Sequence, residues 1–506
     1  MVDRDALKAR IGAYPRETSV VMCHGVFDVV HPGHVRHLAY AKSKADVLVV
    51  SVTADRHIGK GANRPHVPQQ LRALNLAAFE MVDFVLVDEE PTPLANLAYL
   101  QPDFFAKGFE YTSSGLPPAT EAEQDVVGAY GGQMIFTPGD VVYSSSAFIE
   151  MAAPKLQYEK LLLLMETHGL TFDGLRAVVA APSDFTVHVA GDTIVDSYTR
   201  TTLIGGQTKT PTFSVLYQGR DDFIGGAGIV AQHLSAAGAK VVFSTVLGDD
   251  PLKDFVLEGL AASGVDVRAA IDPQRPTTQK NAFIAGGYRL LKVDTLDNRP
   301  ISPAILKHLC DQLRAVSCDA IVFADFRHGI FNKATLPALI EAMPKDAFKV
   351  ADSQVASRWG NITEFQDFDL ITPNEREARF ALADQDSTVG RLAGDLIEST
   401  RCGTLMLKLG ERGVFCTRRR PAPQATSNYF SIDSFADPVL DPVGAGDALL
   451  AYATITMLKT DCEVTAAILG SLAAACECEV DGNTPVTPAH VVAKLDEIER
   501  RAGYGQ

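Results

Sequence analysis

Short runs of β-branched and apolar residues recur along this chain, each followed by a stretch of helical periodicity. That alternation limits the fold more than any other feature. In the first 150 residues the runs are "SVVMC" (19–23), "DVLVVSV" (46–52), "DFVLVDE" (83–89), "DFFAKG" (103–108) and "GQMIFTP" (132–138). The pattern resumes with "FTVHVAGDTIVD" (185–196), "KVVFSTVLG" (240–248), "AIVFADF" (320–326), "FKVADSQ" (348–354), "DLITPNE" (369–375) and "TLMLKLG" (404–410). Strands alternating with helices predict an α/β protein built on parallel, doubly wound sheets.

At 506 residues the chain is too long for one ordinary core. The spacing predicts a first domain over 1–150 and a second over 184–506. The stretch "KLQYEKLLLLMETHGL" (155–170) has helical periodicity without a strand partner, so 151–183 reads as a helical linker. "TQKNAFIAGGYRLLKVDT" (278–295) reads instead as a hairpin turning at Gly286-Gly287, a β-flap of the kind that covers ligands in α/β domains.

The formal net charge of −16 argues against nucleic acid or an anionic membrane as the main partner. Any phosphate chemistry must then come from local basic groups and backbone amides. No apolar run approaches the roughly 18 residues of a membrane span, and the charged N-terminus lacks the apolar core of a signal peptide. Eight scattered cysteines, with only Cys476 and Cys478 close together, read as buried thiols of a reducing cytoplasm rather than a metal site.

"HGVFDVVHPGHVRHL" (24–38) sets His31 and His34 where a strand hands over to a helix N-terminus. Unpaired backbone N–H groups and the helix dipole favour an anion there. Two histidines at i and i+3 share one helix face and can both reach one phosphate, the need of nucleotidyl transfer, in which charge builds on the α-phosphate. Gly25 allows close approach of backbone to a nucleotide. A turn carrying two solvated histidines is the bland alternative. These residues resemble the cytidylyltransferase-like nucleotidyltransferases, with a Rossmann-like fold, through "GVFDVVHPGH", including Phe27. The resemblance extends to Arg72 as a triphosphate ligand, and to "KGFEY" with Lys107, where Glu110 replaces the family's Asp. It ends in "YSSSAFIE", with Ser144, Ser145 and Ser146 holding the leaving phosphates.

In the second half, "DPVGAGDALLAYA" (441–453) places Gly444, Ala445 and Gly446 in a turn that opens a helix. Amides there make an anion hole, and Asp447 is placed to take a proton from an attacking hydroxyl. A glycine turn with a capping acid is the bland alternative. This half resembles the ribokinase-like (PfkB) sugar kinases. The resemblance implies sugar contacts from Asp192, Asp196, Gly225 and Gly226, and nucleotide or phosphate contacts from Asn374, Glu377, Lys408, Gly410 and Gly413. It also implies Mg²⁺ near Glu377 through water. Three positions depart from the family pattern: Ile229 where relatives carry Asn, His328 (beside Arg327) where they carry Lys, and Gln354 where Asp-Pro-Lys is usual.

The pair is similar to the bifunctional heptose-7-phosphate kinase/heptose-1-phosphate adenylyltransferases of bacterial surface-polysaccharide synthesis, with the two halves in reversed order. It implies ATP for the kinase half, ATP or CTP for the transferase half, and a sugar phosphate as acceptor. Other readings are a transferase fused to an inactive, sugar-phosphate-sensing kinase fold, a polyol-phosphate cytidylyltransferase joined to a kinase of different specificity, and a scaffold that keeps both folds for binding partners. A homodimer is left open.

Overall fold

The computed structural model describes residues 2–30, 32–58, 65–108, 118–136, 157–206, 213–354, 362–419 and 428–503. The chain divides into two compact units, Met1–Leu156 and Gln157–Gln506.

In the first unit the five apolar runs are β1 (Val20–Gly25), β2 (Val47–Thr53), β3 (Phe84–Asp88), β4 (Phe104–Lys107) and β5 (Gln133–Phe136). They form one parallel sheet in the order β3-β2-β1-β4-β5. The strands are apolar on both sides because both faces are covered: Val21, Cys23 and Val50 pack on one layer, Val20, Met22 and Val49 on the other. Strand order reverses between β1 and β4, so the crevice at their carboxyl ends is where such a sheet binds ligands. Helix Pro32–Lys42 starts there, directly after β1.

Among the described residues the second unit holds two sheets. The strands are β6 (Thr186–Gly191), β7 (Thr193–Gly206), β8 (Phe213–Gly226), β9 (Lys240–Leu247), β10 (Asp266–Ile271), β11 (Gln279–Ala285), β12 (Tyr288–Thr295), β13 (Ala320–Asp325), β14 (Phe348–Ser353), β15 (Leu370–Ile371), β16 (Thr404–Lys408), β17 (Val414–Arg418) and β18 (Tyr429–Ile432). Nine run in the order β10-β9-β6-β13-β14-β15-β16-β17-β18, parallel up to β16 and antiparallel at β17 and β18. The flap is a separate four-stranded sheet, β12-β11-β7-β8. Its β11–β12 turn carries φ of 58° at Gly286 and 83° at Gly287, the left-handed pair that a tight hairpin demands.

Two sequence expectations need correction. "FTVHVAGDTIVD" is two strands in different sheets, because the chain leaves the main sheet at Asp192. That carboxylate accepts the backbone N–H groups of Phe326, His328 and Ile330, pinning the break. The described part of 151–183 is no linker. It forms helices Gln157–Thr167 and Phe172–Ala180, whose Leu161, Met165, Leu175 and Val179 are buried in the core of the second unit.

Candidate active sites

In the first unit His34 lies on the helix that follows β1, its ring edge-on to Phe27 with centroids 5.2 Å apart. Phe27 is buried at φ 50°, and a Cβ on Gly25 would meet its ring at 3.2 Å. The structure therefore gives Gly25 and Phe27 a packing duty, seating His34. His31, Glu110 and Ser144 to Ser146 lie outside the described residues. Lys107, at the end of β4, pairs with Glu123 at 2.6 Å.

Arg72 departs from expectation. Its guanidinium is completely buried and donates to the carbonyls of Val26, Val67 (2.9 Å) and Thr53 (2.8 Å) while pairing with Asp55 at 2.5 Å. It ties the end of β2 to the loops around it, and offers no surface to a triphosphate. His24, unremarked in the sequence, is also internal. Its ring nitrogens sit 3.0 Å from Ser51 Oγ and 3.2 Å from Thr53 Oγ1, and burial, aided by the charge of Lys107, lowers its pKa to about 4.

In the second unit one cavity of about 780 Å³ brings together the turn Gly444 to Gly446, Asp447, Lys408 and Asn374 with Asp196 and Gly226. Gly410 and Gly413 line it as well. Gly444 adopts φ 85° and caps helix Ala445–Thr460, so the first N–H groups of that helix open on the cavity. Lys408 Nζ lies beside the turn, where a Cβ on Gly446 would meet it at 3.0 Å. It is paired with Asp352 at 2.9 Å. Burial opposes its charge, but Asp352 and Glu377 outweigh it and raise its pKa. Burial, then the charge of Asp352, holds the Asp447 carboxyl well above the usual carboxylate range, with Lys408 opposing. A carboxyl so placed is a stronger base than a solvated aspartate once ionised.

The N-x-x-E residues form a capping box: Asn374 Oδ1 accepts from Glu377 N–H at 2.9 Å, and Glu377 Oε2 accepts from Asn374 N–H at 2.7 Å. Burial raises the Glu377 pKa to about 7. The glycine pair ending β8 closes tightly on two acids. A Cβ on Gly225 would fall 2.1 Å from Asp196 Oδ2, and one on Gly226, at φ 60°, 2.5 Å from the Asp192 carbonyl. Asp192 does not line the large cavity; its carboxylate accepts the loop amides named above, which anchors the loop after β13, and it lines a separate small pocket with His328.

The pfkB carbohydrate kinase family model matches residues 196–489, more than half of the chain. The chain belongs to the pfkB family. A cytidylyltransferase-like model matches residues 22–151, within the first unit. The chain is 26% identical over 329 residues to the bifunctional protein HldE of Geobacter metallireducens, covering 63% of this chain and 65% of the relative. It is 27% identical over 311 residues to that of Pelobacter propionicus, covering 60% and 62%. The chain thus spans less than two thirds of the length of these relatives. Among solved structures, phosphofructokinase-2 from Escherichia coli superposes with TM-score 0.53 at 15% identity, covering 62% of this chain and all of that one. This likeness is one of fold.

The pfkB unit resolves the three departures differently. Ile229 is fully buried in helix Ala227–Ala236. The His328 ring meets Asn298 Oδ1 at 2.7 Å and does not line the large cavity. Arg327, at φ 56°, is buried against Asp325 and Glu364. Gln354 alone enters the site, donating from Nε2 to Asp447 Oδ1 at 3.1 Å. Two contributors went unread in the sequence. Asn483 donates to Asp196 Oδ2 at 3.0 Å from 287 residues away. Asp441, just ahead of the glycine turn, accepts from Tyr198 Oη and pairs with Arg289 of the flap at 3.0 Å. Asp441 opens the glycine motif but its partners lie far off in sequence, and Asn483 belongs to no local pattern.

Proposed function

We propose that this chain makes a nucleotide-activated sugar in two steps. The pfkB unit transfers the γ-phosphoryl group of ATP to a hydroxyl of a sugar or sugar phosphate, heptose 7-phosphate at O1 being the acceptor the resemblance points to. The first unit then transfers a nucleotidyl group, from ATP or CTP, to the sugar 1-phosphate and releases pyrophosphate. The observation that carries the first step is Asp447 lying directly behind a left-handed glycine turn, with Lys408 at its side and Asp196 in the same cavity. Asp447 accepts the proton of the attacking hydroxyl, while the turn amides and Lys408 stabilise charge on the transferred phosphoryl group. Asp196, oriented by Asn483, accepts hydrogen bonds from acceptor hydroxyls.

The hard carboxylate oxygens of Asp352 and Glu377 around Lys408 suit Mg²⁺. Glu377 would hold it through water with the nucleotide phosphates, and the bound ion supplies neutralisation of their charge. In the first unit His34, with His31, stabilises the α-phosphate.

Two variants of the full chain test both steps. Asp447→Asn keeps the shape but removes the proton acceptor, and should lower sugar phosphorylation by roughly 100- to 10,000-fold while leaving pyrophosphate release unchanged. His34→Ala should do the reverse, lowering pyrophosphate release about 100-fold. Near-normal turnover in either variant removes the role assigned to that residue.

A further inference from the structure

Asp447 is the third residue of helix Ala445–Thr460, whose N-cap is Gly444. An acid at that position ordinarily turns back onto the free amides of its own helix. Glu377, third in helix Glu375–Leu382, does so, accepting the Asn374 N–H at 2.7 Å. Asp447 does not. Among the described residues its carboxyl has one hydrogen bond, which Oδ1 accepts from Gln354 Nε2 at 3.1 Å, 93 residues away in sequence.

No cation takes over the task. Among the described residues Asp447 has no ion pair. Lys408, beside the same turn, donates instead to both carboxylate oxygens of Asp352, at 3.0 and 2.9 Å. The other charged groups around Asp447 are Asp352 on β14, Asp196 on β7 and Glu477 on helix Glu463–Cys478, all of them acids. A buried carboxyl among acids, with no cation of its own, holds its proton. It serves as a base only if something favours the ionised form.

Gln354 supplies that preference from a fixed place. It follows β14, and its backbone N–H donates to the Asp325 carbonyl at 2.8 Å, just past the last pair of the β13–β14 ladder. Ser353 before it donates from Oγ to Asp325 Oδ2 at 2.9 Å, and Asp325 is completely buried. The side chain therefore starts from an anchored point of the main sheet and reaches helix Ala445–Thr460. An amide N–H donates and cannot accept, so its bond is stronger to a carboxylate than to a neutral carboxyl. It engages Oδ1 and leaves Oδ2 to the cavity that Asp447 lines.

We infer that Gln354 is a positioning residue for phosphoryl transfer: its amide turns the Asp447 carboxylate away from its own helix and aims Oδ2 at the acceptor hydroxyl. This rests on the reading of Asp447 as the proton acceptor. It also gives a duty to a position at which the chain departs from the family pattern.

The test uses the full chain with Gln354→Leu, which removes the donor, and Gln354→Lys, which replaces it with a charged one. One readout is titration of the Asp447 carboxyl by carbon-13 NMR of aspartate-labelled protein, its signal assigned by its loss in Asp447→Asn. The other is the pH profile of transfer from ATP to heptose 7-phosphate. Gln354→Leu should move the titration and the acidic limb of kcat up by about one pH unit, lowering kcat at pH 7 about 10-fold. Gln354→Lys should move both down, and the KM for ATP should be unchanged in either variant. Titrations that stay in place, or that move the same way in both variants, overturn the inference, as does a loss confined to the KM for ATP. Opposite titration shifts that leave kcat unmoved, or that accompany no transfer to the sugar phosphate even in the native protein, keep the Gln354 contact and overturn the proton-acceptor reading beneath it.

Discussion

Glu477 holds its carboxyl against the anion-hole turn: a Cβ on Gly444 would fall 2.8 Å from its Oε1. Oε1 accepts the Thr484 N–H at 3.0 Å, and Oε2 has no hydrogen-bond partner among the described residues. Burial, with Asp441 adding to it, raises its pKa from 4.5 to about 8. The folded protein therefore keeps a proton that the unfolded chain releases between those values. Its contribution to stability is full below pH 4.5 and is lost as pH rises to about 8. Glu477→Gln retains the acceptor for Thr484 and removes the titration. In urea unfolding of the pfkB unit, the variant should gain on the native protein by on the order of 3 kcal/mol between pH 5 and pH 8. Parallel pH profiles would show that Glu477 is ionised in the fold. Arg72 teaches the converse lesson at the same scale. Its position in the motif order resembles that of a phosphate ligand, yet three carbonyls and Asp55 consume its donors.

Helix Gln157–Thr167 has the same apolar periodicity whether it spans two domains or belongs to one, and periodicity alone does not say what covers its face. The structure packs Leu161 and Met165, 4% and 3% exposed, into the second unit, and sets Lys160 3.0 Å from Asp433 beyond β18. Leu161→Ala and Met165→Ala in the full chain should each destabilise the pfkB unit by about 2–5 kcal/mol, read as a lower urea midpoint for loss of sugar phosphorylation. An unchanged midpoint would return the helix to the linker reading. β1 and β2, in the middle of the first unit's sheet, were legible because a strand buried on both faces writes a continuous apolar run, whereas β5 at its edge is only partly buried. β8 was not legible, because "FSVLYQGRDDFIGG" is largely exposed and carries few runs of that kind.

At the scale of the molecule, each unit owns its strands and its hydrophobic clusters, so each proposed reaction has its own scaffold. If the two steps act in series, Asp447→Asn should make no nucleotide sugar from the unactivated acceptor. It should recover to within about two-fold of the native rate when the sugar 1-phosphate is supplied, since the site around His34 is untouched. The measurement is nucleotide-sugar formation by the one variant with each substrate. A folded Asp447→Asn protein that 1-phosphate fails to rescue would break the sequence of reactions, leaving two unrelated activities in one chain.

The sequence by itself determined the features whose causes are local. Alternating apolar runs and helical stretches require parallel sheets with covered faces, Gly286-Gly287 requires a tight hairpin, and the glycines before Asp447 require a turn that opens a helix. Tertiary structure decided which side chains face the cavity. Asp192 and Asp196 stand four residues apart, which on one straight strand places both on one side. The chain changes sheets between them, so one anchors a loop and the other reaches the site. Lys280 comes to stand beside Asp196 through the register of β11 on β7, and Asn483 reaches Asp196 from the far end of the unit. A two-residue period fixes alternation along a strand, but the choice of face and sheet belongs to contacts made hundreds of residues away.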